Sequence, residues 1–146
     1  MEEHCAGELE EARSESFKRD ERIIMLNEYG FSETKWRAAR HEARRIMIDR
    51  ARLRGQIAYS ELVAQIQAIS FDPHDFRFGY LLGEISTAED AAGRGMHSAV
   101  VVHKSDDMQP GPGFFELASE LGRDTSDVLI CWVNELKKVH AYWAGK

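Results

Sequence analysis

The chain has 146 residues, a net charge of −6 and 43% apolar residues, which suits one domain with a single core and argues against general disorder. No apolar run approaches the roughly 20 residues of a membrane span, and the acidic N-terminus "MEEHCAGELEEAR" lacks the apolar stretch of a secretory signal. Cys5 and Cys131 have no neighbour at metal-ligand spacing, so neither a disulfide framework nor a metal or cofactor site is expected, and the default location is the reducing cytoplasm.

Charge is unevenly distributed. Residues 1–34 carry four basic and ten acidic side chains, residues 35–54 carry eight and two, and residues 55–146 carry seven and thirteen. The middle block attracts a polyanion or is neutralised by its acidic flanks, within the fold or in a dimer.

The first predicted element is an acidic helix over 7–29, with Leu9, Ala12, Phe17 and Ile24 on one side and Gly30 as its stop. Ser32 then caps a second helix of about twenty residues. Steps of roughly 100° per residue place Trp36, Ala39, Ala43, Ile46 and Met47 on one side of it. Arg37, Arg40, His41, Arg44, Arg45 and Arg52 form an adjoining basic face, while Arg50 points toward the apolar side and must snorkel or pair with an acid. Gly55 ends this helix. A short strand over 56–59 follows, then a helix over 61–69 capped by Ser60. Asp72 and Pro73 open a third helix over 73–85, Pro73 standing at the first helical position. A helical turn over "AEDAAG" precedes the strand "HSAVVVHK", whose three valines favour extended backbone. "SDDMQPGPG" reads as a turn and residues 113–115 as a return strand. A helix closed by Gly122 comes next. The last helix, over 125–143, has an apolar stripe of Val128, Leu129, Trp132, Leu136, Val139 and Trp143.

The predicted class is mainly α with a small β-hairpin (α+β). The element order is that of a winged helix: a core over 33–122, a wing made of 97–104 and 113–115, and flanking helices over 1–30 and 125–143 of a single domain. "GQIAYSELVAQI" resembles the start of the winged-helix core of alkylguanine DNA alkyltransferases and alkyltransferase-like proteins, and "PGPGFF" sits where that family carries a glycine-rich wing. The resemblance covers roughly residues 55–115 and implies fold only. The family's Pro-Cys-His-Arg reaction motif is absent and neither cysteine lies near its place, so no alkyl transfer is implied.

Three functional classes emerge. The first is nucleic-acid binding, to DNA or RNA, through Arg37, Arg40, Arg44, Arg45 and Arg52, with Arg77 on the predicted recognition helix and Lys104 on the wing. That helix otherwise offers His74, Asp75 and Glu84, a poor set for reading bases. The second is a protein-interaction module or homodimer in which the acidic N-terminal helix covers the basic face. The third is an enzyme using Glu84, His97 and Ser98 in acid–base work. His97 and His103, on one predicted strand, stand about 20 Å apart, too far to share an ion. The PGPG segment lacks the pattern of a phosphate-binding loop, and its prolines remove amide donors. No membrane partner is expected.

Overall fold

The structure is a computed structural model that describes residues 26–104 and 108–146. Five helices make up most of it: α1 (Glu33–Arg52), α2 (Tyr59–Gln65), α3 (Phe76–Ala91), α4 (Pro112–Glu120) and α5 (Val128–Trp143). Two short strands, β1 (Ile57–Ala58) and β2 (Val101–Val102), form a parallel pair with Ile57 opposite Val101 and Ala58 opposite Val102. The fold is therefore mainly helical with a small sheet, as the composition of the predicted elements implied. The chain divides into two compact units, Met1–Arg37 and Ala38–Lys146.

In the first unit the described residues begin with a turn. Leu26 pairs with Ser32 as an isolated antiparallel bridge, and the Asn27 side chain accepts from the amides of Tyr29 and Phe31. The predicted helix over 7–29 thus does not reach its expected end, and its remainder lies outside the described residues. Trp36 stacks on Tyr29 and Phe31, with ring centroids 4.7 and 5.7 Å away. Ser32 caps α1 as predicted, accepting from the Lys35 amide.

In the second unit, α1 ends at Arg52, two residues short of the end that Gly55 suggested. Arg54 itself takes the left-handed conformation, at φ +54, and the Gly55 amide donates back to the Arg50 carbonyl. Arg50 is half-buried and its guanidinium donates to the Gln56 carbonyl; the Ala58 amide and, to a lesser degree, the Arg50 charge lower the Glu61 carboxyl. α2 starts at Tyr59, one residue before the expected cap at Ser60, because the Glu61 carboxylate turns back to accept from the Ala58 amide.

The cap of α3 is Asp75, which accepts from the Arg77 amide; Asp72 shapes the turn before it, accepting from the His74 amide. α3 runs on to Ala91 and absorbs the separate turn expected over "AEDAAG". Thr87 stays within the helix by donating its hydroxyl to the Gly83 carbonyl four residues back.

The largest correction concerns the predicted wing. His97–Val100 is a 3-10 turn, and only Val101 and Val102 are extended. β2 joins β1 in parallel across the α2–α3 connection, the kind of crossover that parallel pairing requires. Residues 113–115 belong to α4, which Pro112 opens from its first position. Proline is well placed there, since its φ is preset and the missing N–H would have no partner. Among the described residues the expected hairpin does not form. α5 begins at Val128, capped by Asp127 through the Ile130 amide; Ser126 instead belongs to a turn held by Asp124.

The 3-10 turn packs between α3 and α5. Met96, Ala99 and Val102 join Phe114, Ala118, Cys131 and Trp132 in one apolar cluster, and the Trp132 indole N–H donates to the Ala99 carbonyl at 2.8 Å. The α5 stripe is only partly internal. Val139 and Trp132 are buried, but Val128 and Leu129 are exposed, together with Ile130.

Candidate nucleic-acid interface

The basic face of α1 is engaged within the protein to a degree its sequence does not reveal. Arg37 lies 3.7 Å from Glu33 and stays largely exposed. Arg40 pairs with Glu84, and Arg44 with Glu89, so successive turns of α1 meet α3. Arg52 pairs with Asp49, three residues before it. Arg45 is exposed. Arg77 folds back onto Asp75, its own helix cap. Lys104 is exposed, and Asp106 and Asp107 beside it lie outside the described residues.

The residues considered for acid–base chemistry are each bonded elsewhere. Glu84 takes Arg40. The Ser98 hydroxyl lies 2.6 Å from the Ser86 hydroxyl in a buried pair. His97 accepts at Nε2 from the indole N–H of Trp143 at 2.6 Å. His97 and His103 no longer share one strand; His103 stacks on Tyr59 with centroids 4.4 Å apart.

The strongest concentration of charge is built around Glu89, near the C-terminal end of α3 and 3% exposed. It accepts from Arg44 at 2.7 Å and from Arg94 at 2.5 Å. Burial raises the Glu89 carboxyl, but hydrogen bonds from Arg94 and Arg44 outweigh it and hold the group at about 2. His97 lies beside it, with Nε2 3.4 Å from a Glu89 oxygen and 1% of the residue exposed. Burial lowers the imidazole; Glu89 opposes this, and the Arg44 and Arg94 charges reinforce it, so His97 settles at about 4. The ring is therefore neutral near pH 7. Because Nε2 accepts from Trp143, the proton sits on Nδ1, which is buried with no hydrogen-bond partner among the described residues.

Trp143 links this cluster to the surface. The guanidinium carbons of Arg44 and Arg52 lie 6.0 and 5.9 Å from its ring centroid. Tyr142 meets Trp143 edge-on at 4.9 Å, Glu89 and to a lesser degree Tyr142 raise the Arg94 guanidinium, and Lys146 places its ammonium 4.8 Å from the Tyr142 centroid. One turn back on α5, a ring nitrogen of His140 lies 3.0 Å from the Gly55 carbonyl, next to Arg54. The ends of α1 and α5 thus bring Arg44 and Arg52 to the ring of Trp143 and Lys146 to the ring of Tyr142, with Glu89 and Asp49 as the carboxylate partners of the two arginines.

Of the residues in this cluster, the sequence singles out Arg44 and Arg52, does not single out Glu89, Arg94, Tyr142 or Lys146, and assigns Trp143 to an apolar stripe. The available signal was the close of the chain, "HAYWAGK", where two aromatics precede a lysine.

An open pocket of about 410 Å³ lies along the first turns of α5. Its cations, Arg123 and Lys138, both face Glu135, at 2.8 and 3.8 Å, so it is a poor place for an anion. Cys131 lines it and is nearly buried; burial, then the nearby Glu135 charge, pushes its thiol up. Among the described residues, no helix is long and apolar enough to cross a membrane. No protein-family model, curated protein or solved structure matches the chain.

Proposed function

We propose that this protein binds nucleic acid through the basic and aromatic surface at the joined ends of α1 and α5. The observation that carries this reading is the placement of Arg44 and Arg52 at the ring of Trp143 and of Lys146 at the adjoining ring of Tyr142. Arginines and lysines supply the phosphate attraction, and aromatic rings beside them supply faces for bases. The charge excess is local, which accommodates an overall charge of −6.

The test is fluorescence anisotropy of a labelled oligonucleotide at several salt concentrations. Affinity should fall steeply with salt, because bound cations are released from phosphate when the protein binds. Reversing both Arg52 and Lys146 to Glu should weaken binding by about tenfold or more and reduce the salt slope by roughly one for each phosphate that is no longer neutralised. Arg37→Glu, a change at an exposed arginine toward the opposite end of α1, should have little effect. Absence of binding at low salt, or an equal loss from Arg37→Glu, would refute the proposal.

A further inference from the structure

We infer that the nucleic acid is taken as a single strand, with one base stacked on the ring of Tyr142. This rests on the reading above and narrows it to a ligand class. Tyr142 is 38% exposed, and what covers its ring is the ammonium of Lys146, 4.8 Å from the centroid on a solvent-exposed residue. A cation on a long flexible stem is easily displaced by a base and can then meet the adjoining phosphate. Beside Tyr142 the support is firm. Trp143 holds it edge-on, and Trp143 is anchored by its bond to the buried His97. The ring thus has one fixed aromatic neighbour and one mobile cationic neighbour, which suits a stacking platform.

Duplex reading through a recognition helix has less support. On α3, Arg77 is tied to Asp75 and Glu84 to Arg40, while Phe76 and Tyr80 are exposed aromatics that pack edge-to-face on each other. That face carries little hydrogen-bonding equipment for base edges.

The experiment compares three labelled ligands of equal length: an oligothymidylate, an abasic phosphodiester chain and a duplex. The native protein should bind the oligothymidylate about tenfold more tightly than the abasic chain, the range expected for one stacked base, and more tightly than the duplex. Tyr142→Ala should erase the difference between oligothymidylate and abasic chain. Tyr142→Phe keeps the ring and should retain most of the difference, with circular dichroism confirming that both variants are folded. Equal binding of the oligothymidylate and the abasic chain by the native protein, or a preference for duplex, overturns the stacking inference while leaving phosphate-driven binding intact. Failure of all three ligands to bind removes the broader proposal itself.

Discussion

His97→Gln should remove a specific part of the acid sensitivity of this protein. In the folded chain His97 is 1% exposed and held at about 4, down from 6.5, mainly by burial. The charged groups facing it are Glu89 from α3, Arg94 from the loop after it, and Arg44 from α1, while Trp143 of α5 occupies Nε2. Between about pH 6.5 and pH 4 the unfolded chain binds a proton on this ring that the folded chain does not. Stability therefore falls as pH drops through that window, by about 1.4 kcal/mol for each full pH unit inside it. From pH 7 to pH 5 the expected loss from this residue is about 2 kcal/mol. Glutamine is the informative replacement, since its side-chain oxygen reaches the position of Nε2 and can still accept from the Trp143 indole, yet it does not titrate. Urea unfolding, followed by circular dichroism at pH 7 and pH 5, gives the two stabilities for each protein. Subtracting variant from native removes the contributions of the other five histidines. A native protein that loses no more stability than the variant between these pH values would refute the assignment of His97 as a buried neutral ring. Glu89 acts in a lower window. Its carboxyl is held at about 2 instead of 4.5, so its stabilisation is complete above about pH 4.5 and disappears only as pH falls toward 2, outside this comparison.

Much of the helical framework was legible because it is written in local chemistry. Ser32 caps α1 through one hydrogen bond to the Lys35 amide, and that bond needs nothing from the rest of the chain. α3 was placed correctly but displaced, because Asp72 and Asp75 are both competent caps and the local pattern does not choose between them. The segment "HSAVVVHK" was misread for a different reason. A short apolar run fits a strand or a buried turn equally well, and only burial between α3 and α5 selects the 3-10 form over His97–Val100. "PGPG" misled in the same way, since proline suits a tight turn and the first position of a helix alike. The surface was harder still. The partner of Arg44 is Glu89, 45 positions away, and the ring beneath Arg52 is Trp143 at the far end of the chain. Helical periodicity shows that arginines share a face, but it carries no information about which acids or rings that face will meet. For Trp143, periodicity shows only an apolar stripe, and the arginines that meet its ring come from α1.

Two further predictions concern the scaffold behind the interface. Gly95→Ala should cost about 1–3 kcal/mol, read as a lower midpoint in thermal unfolding. At φ +88 an L side chain is strained, and its β-carbon would stand 3.2 Å from both Glu135 Oε2 and Val139 Cγ2; an unchanged midpoint would mean that this segment rearranges freely. Arg123→Met should cost about 3 kcal/mol. Arg123 bridges Asp90 and Glu135, and Glu135, 3% exposed, also accepts from the Met96 amide at 2.7 Å. Removing the guanidinium leaves Glu135 as a buried charge with only Lys138, 3.8 Å away at the surface, to offset it. If the loss comes from that stranded charge, adding Glu135→Gln should restore a large part of the stability, because the amide needs no counterion and its oxygen can still accept from Met96. If the double variant is instead as unstable as the sum of the two single ones, the guanidinium acts through packing and not by balancing the Glu135 carboxylate.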